Sequence, residues 1–151
     1  MAGRNTTASE ERSTEGKGME ALRESPTMAR LIEALSRGED IGHYGQFVFV
    51  TTARHFLKDE EIADLLVRQP EMSEDRANAM VARIGEKGYN PPNRERLLEM
   101  QRQQEFRIID EDDPDSGNLY RELSFPEGVY ADIEEYHTER MAAKDEESAA
   151  N

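Results

Sequence analysis

From Ile41 to Leu57 the chain reads IGHYGQFVFVTTARHFL, its longest strongly apolar stretch, entered through Gly42 and Gly45 and left through Lys58, Asp59, Glu60 and Glu61. Phe47–Thr52 is β-branched and aromatic, so propensity alone permits a strand. Length decides against it, because about seventeen residues pass without a turn signal and strands usually stop at 4 to 8. Wound as a helix, Phe47, Phe49, Val50, Ala53, Phe56 and Leu57 cover most of the circumference, which predicts a rod buried on more than one side. The expected fold is therefore all-α, a compact domain of about six helices around a buried central helix.

Composition limits what surrounds the rod. Only 36% of the 151 residues are hydrophobic. They concentrate between Met28 and Tyr136, so the core draws on roughly 90 to 110 residues and one domain is expected. Residues 1–18 have the Gly, Ser, Thr, Glu and Arg content of a disordered tail. The helical domain is expected over 19–143, with a disordered acidic tail over 144–151. There is no cysteine, which excludes disulfides, a thiolate nucleophile and Cys-based zinc or iron–sulfur sites. No run approaches the ~20 apolar residues of a membrane span, and the N-terminus lacks the apolar centre of a signal peptide. A soluble cytoplasmic protein with no membrane partner is expected.

The formal charge is −14, with 19 basic residues, mostly arginine, against 33 acidic ones. Abundant carboxylates with few lysines resemble the surface of a protein adapted to concentrated intracellular salt, and salt adaptation is expected on that ground. At about 1 M salt the Debye length is only ~3 Å, so net negative charge does not there forbid a nucleic-acid partner; at low salt it argues against one.

Along the chain, Ser25 and Pro26 open a helix expected from Pro26 to Arg37 that stops at Gly38. After the rod, Asp59 is the expected N-cap of a helix closing at Arg68 before Pro70. Ser73 caps the next, with Ala77, Met80, Val81 and Ile84 inward and an end between Gly85 and Gly88. Tyr89 to Pro92 must be extended, since residues before proline avoid the helical region. Asn93 to Gln104 reads as a helix with Leu97, Leu98 and Met100 inward. Phe106 to Ile109 is a tucked segment or edge strand, and Ser124–Pro126 announces a last helix carrying Val129, Ile133, Tyr136 and Met141 on one stripe.

Catalytic patterns are lacking. His43, His55 and His137 show no metal-ligand spacing, and no phosphate loop, nucleophile elbow or kinase signature occurs. Adjacent carboxylates such as Glu60/Glu61 and Glu134/Glu135 point apart on a helix and read as solvated faces. Asp110, Glu111, Asp112, Asp113 and Asp115 crowd one turn, but Pro114 and the lack of a central glycine depart from a calcium loop. A solvated acidic turn is the reading, with weak cation binding left open. The basic residues carry more. Residues 83–107 have a local charge of +2, from Arg83, Lys87, Arg94, Arg96, Arg102 and Arg107, and residues 110–149 one of −11. Either the basic stretch contacts phosphate or its members pair with neighbouring glutamates. Tyr44 and Tyr89, beside glycine and proline, either stack on a base or fill the core.

Taken in order, Pro26-Thr27-Met28, His43-Tyr44-Gly45-Gln46, the charged turn and helix Lys58–Arg68, and Tyr89-Asn90-Pro91-Pro92-Asn93-Arg94 form a pattern closed by the helix Phe125–His137. Over residues 25–138 it resembles the C-terminal, helical, iron–sulfur domain of the large subunit of archaeal and eukaryotic DNA primase. The resemblance places that family's cluster ligands at Thr27, at Arg94 and at about Ile109 and Gly117, none of them a ligand here, so no cofactor is expected. It places inherited contacts at or near His43, Gln46, Arg83 and Arg94, with glutamine at position 46 where the family has a nucleic-acid-gripping arginine. With Tyr44 and Arg96 added, these make the expected nucleic-acid-binding set.

The function expected is a non-catalytic accessory factor of DNA replication or repair that binds DNA or a primer-template junction, with primase or another replication protein as a possible partner. The alternative is a protein–protein adaptor that docks through its acidic turn and final helix.

Overall fold

A computed structural model of the chain describes residues 16–130, and their regular structure is entirely helical, with no strand among them. Residues 16–23 form α1; α2 (Pro26–Ser36), α3 (Gly42–Ala53), α4 (Asp59–Leu66), α5 (Glu74–Lys87), α6 (Arg94–Gln101) and the short α7 (Leu119–Glu122) follow. Residues 127–130 are again helical. Residues 16–18, placed by composition in the N-terminal tail, are the part of that stretch the structure describes. Residues 16–18 already belong to a helix, and Gly18 lies so close to the Phe56 carbonyl that a β-carbon would collide with it. Ile133, Tyr136, His137, Met141 and the acidic tail lie outside the described residues.

The rod is α3. Gly45 and every residue from Val48 to Ala53 are buried, and the helix touches α2, α4, α5 and α6. A helix walled on so many sides needs apolar residues all round rather than one stripe, which is why its sequence imitates a strand. It is shorter than expected, ending at Ala53, where the chain turns so that the Leu57 N–H bonds back to the Ala53 carbonyl at 2.8 Å. That turn returns Leu57 to the core and leaves Phe56 half-buried against it.

Local signals set most other boundaries. The Ser25 hydroxyl accepts the Met28 N–H at 3.1 Å, with Pro26 in the first turn of α2. Ser73 and Asn93 cap α5 and α6 in the same way. For α4 the N-cap is Lys58 rather than Asp59: Glu61 reaches back to accept the Lys58 N–H at 3.1 Å, and Asp59 takes its place among the first-turn acids that favour the helix dipole. Helix α6 stops at Gln101 and turns Leu97 and Met100 inward while Leu98 is half-buried. Beyond it Ile108 and Ile109 are buried, and both donate their N–H groups to the Gln101 side-chain oxygen, at 3.1 and 2.9 Å. One glutamine thus satisfies a segment that has no strand partner.

Two threonines test the packing of α3. The Thr51 hydroxyl donates to the Phe47 and Val48 carbonyls, at 2.9 and 3.1 Å, whereas the buried Thr52 hydroxyl has no hydrogen-bond partner among the described residues. An unpaired buried hydroxyl costs about 1 to 3 kcal/mol. Thr52→Val should raise the free energy of unfolding by about 1 kcal/mol or more in urea titrations, and Thr51→Val should not.

Candidate nucleic-acid interface

The first turns of α3 and the outer face of α5 enclose an open groove of about 310 Å³. His43 and Gln46 form one wall. Arg76, Ala79, Met80 and Arg83, spaced three and four apart and so on one face of α5, form the other, with Met72 between. Met72, Ala79 and Met80 supply the apolar part of the lining and Arg76 and Arg83 the cationic part.

The two arginines differ in how they are held. Arg76 donates from Nη1 to the Glu71 carbonyl at 3.2 Å, bracing a turn in which Glu71 adopts a left-handed φ of 59°. Arg83 is exposed and makes neither an ion pair nor a hydrogen bond to any described residue. His43 packs its ring edge-on to Tyr44 at 5.8 Å. Gln46 donates to the side-chain oxygen of Gln69 at 3.2 Å. Beside this wall Tyr89 is 43% exposed, its ring edge-on to Phe47 at 5.5 Å. Tyr44 is half-buried and donates its hydroxyl to Gln103 at 2.9 Å. Of the two tyrosines, Tyr89 is the more exposed.

The start of α3 is an uncapped helix end: Ile41 supplies no side-chain bond. Asp40 Oδ1 accepts the Gly42 N–H locally at 2.9 Å, and two further donors are taken from a distance. The Ile41 N–H bonds to Gln69 at 3.0 Å, and the Tyr44 N–H to the Gln104 oxygen at 3.1 Å, while the Gln104 amide returns a bond to the Ile41 carbonyl at 2.9 Å. Gln69 and Gln104 build the groove wall, yet neither lies in any motif; the one signal in the sequence is a polar residue between Leu66 and Pro70 that composition would assign to a surface turn.

Arg94 and Arg96 do not line this groove. Arg96 pairs with Glu99 at 3.2 Å and Arg102 with Glu111 at 4.0 Å, so neighbour pairing accounts for both. The guanidinium of Arg94 is engaged by the acidic turn: Nε donates to the Ser116 carbonyl at 3.0 Å and Nη2 to the Glu111 and Asp113 carbonyls at 3.2 Å each. Those bonds occupy Nε and Nη2.

The same corner gathers three of the four positions at which the resemblance puts cluster ligands, Arg94, Ile109 and Gly117. Gly117, with φ 84°, packs against Ile109 so closely that a β-carbon would sit 2.8 Å from Ile109 Cδ1. Arg94 is bonded to the residue before Gly117. Thr27, 2% exposed, lies beside Glu122, whose carboxylate accepts from the Ser25 hydroxyl at 2.9 Å. Iron–sulfur clusters need thiolates or imidazoles. A hydroxyl, a guanidinium, a hydrocarbon and a hydrogen atom do not fit one, and no group of three or more His, Cys, Asp or Glu among the described residues could hold a metal ion. Hydrogen bonds from Arg94 and packing of Ile109 on Gly117 fill the corner instead.

Electrostatics at this corner carry a sign. Burial pushes the Glu122 carboxyl above its ordinary value near 4.5, against the Ser25 and Thr27 hydroxyls that lower it and with Asp113 raising it further. A carboxyl that binds its proton more tightly when folded loses stability as pH rises through the window above the unfolded value. Glu122→Gln, which keeps an acceptor for Ser25, should therefore unfold at a higher temperature than the parent at neutral pH, and the gap should close as pH falls towards 4.5. Arg94→Ala should cost about 1 to 3 kcal/mol and accelerate amide exchange over 110–117, read by hydrogen–deuterium exchange.

No helix among the described residues is long and apolar enough to cross a membrane. Searched against family models, curated proteins and solved structures, the chain finds no match.

Proposed function

We propose that this is a non-catalytic, cytoplasmic, nucleic-acid-binding accessory protein of DNA replication or repair, a cluster-free relative of the primer-template-binding domain of the primase large subunit. His43, Gln46 and Arg83 form the contact surface, with Arg76 and Tyr89 beside them. DNA or a primer-template junction is its ligand, and primase or another replication subunit its protein partner. The observation that carries this reading is Arg83, an arginine with no acidic partner among the described residues of a chain of net charge −14, lining one groove with His43 and Gln46. Two residues the resemblance pairs by order along the chain, at positions 43 and 46, thus share a cavity with the basic residue assigned beside them. The meeting of Arg94, Ile109 and Gly117 in one corner is a second support, because ligands of a lost cluster have to converge. In concentrated salt counterion release contributes little, so binding rests on shape, stacking on Tyr89 and the guanidinium of Arg83.

Fluorescence titration of a labelled primer-template at several salt concentrations tests it. Arg83→Glu should weaken binding by about 1 to 3 kcal/mol and lower the salt slope by about one, while Arg96→Glu, outside the groove, should change little. Binding indifferent to Arg83, or absent at every salt concentration, would overturn the reading and favour the adaptor, docked through the acidic turn that Arg94 holds in shape.

A further inference from the structure

We infer that the groove reads a sugar hydroxyl: Gln46, oriented by the buried amide of Gln69, offers its carbonyl oxygen to the 2′-hydroxyl of a ribonucleotide whose phosphate lies against Arg83. This rests on the nucleic-acid reading above. Gln69 is 3% exposed, so both ends of its amide must find partners inside the protein. Its Nε2 donates to the Glu39 carbonyl at 2.7 Å, and its Oε1 accepts the Ile41 N–H at 3.0 Å. Both partners are backbone groups, one an acceptor only and the other a donor only, so the amide has a single orientation.

That orientation passes to Gln46. A carbonyl oxygen already set at Gln69 can be met only by the amino end of the second glutamine, and Gln46 Nε2 donates to it at 3.2 Å. What remains at Gln46 is Oε1, an acceptor without a partner among the described residues, in the lining it shares with Arg83 and His43. An acceptor beside a phosphate-binding arginine repels phosphate oxygens and accepts from hydroxyls. In a nucleotide chain the hydroxyl next to every phosphate is the ribose 2′-OH, which a deoxyribose strand lacks. Base amines are the other donors of such a ligand, and they would show as dependence on base composition rather than on sugar. Gln69 touches no ligand and is a positioning residue.

The test uses the full chain and short labelled single strands of identical sequence in ribose and deoxyribose form, titrated by fluorescence anisotropy. The parent should bind the ribose strand roughly five- to tenfold more tightly, one hydrogen bond's worth. Gln46→Leu should bring the ratio to about one, and Gln69→Leu, which releases Gln46, should lower it as well. Rescue in Gln46→Asn is not expected, because the shorter side chain cannot span the groove wall to Gln69. A parent ratio of one, a ratio unmoved by Gln46→Leu, or a preference that follows base composition instead of sugar would overturn the inference. Binding that depends on Arg83 but ignores the sugar, or binding to a primer-template alone, defeats this proposal alone; binding to neither strand and to no primer-template defeats the reading beneath it too.

Discussion

The end of a buried helix poses the hardest electrostatic problem in this fold. Helix α3 touches four others, its first N–H groups have no intrahelical partner, and of the residues just before it only Asp40 supplies a side-chain acceptor, to the Gly42 N–H. Left unpaired in the core each would cost about 1 to 3 kcal/mol, a large fraction of the stability of any small domain. Gln69 and Gln104, 28 and 60 residues from the groups they bond, supply the missing acceptors. The geometry of the groove follows, because the residues that carry its wall, His43 and Gln46, stand on the turn those amides fix.

Side-chain amides recur as the means of joining segments that have no regular partner. Gln101 pairs two consecutive N–H groups of the buried Ile108–Ile109 segment. Arg94 does comparable work with the carbonyls of the acidic turn. A chain without cysteine, in which no described residues form a metal cluster, must hold its loops by such contacts and by apolar burial. Phe49, Ile62, Leu66 and Leu97 are fully buried, each worth about 1.5 to 3 kcal/mol relative to exposure. Aromatic packing closes the far end, where Phe125 meets His55, Phe56, Tyr120 and Tyr130 at centroid distances of 5.3 to 6.2 Å.

Much of this was legible because the signals are local. Ser25-Pro26, Ser73 and Asn93 announce helix starts by chemistry confined to one turn, and the apolar run Phe47–Ala53 announces a buried rod by its density. Positions 43 and 46, one turn apart on α3, were within reach too. Less legible were features that depend on distant partners. Nothing near Gln69 or Gln104 in the sequence shows that they cap α3. Arg94 looked like a phosphate contact because arginine in a basic stretch has that chemistry, yet the carbonyls of residues 111, 113 and 116 offer it acceptors that only folding brings near. The four-residue helix α7 was missed because so short a helix has no hydrophobic period to read.

We propose that the groove set by α3 and α5 is where this acidic chain meets nucleic acid. Backbone amide chemical-shift mapping during titration with an unlabelled primer-template in high salt addresses it most directly. The account predicts that the largest shifts fall on residues 43–46, 76–83 and 89, with residues 110–117 little moved. Shifts concentrated in the acidic turn, or scattered over the surface without a maximum at the groove, would contradict it.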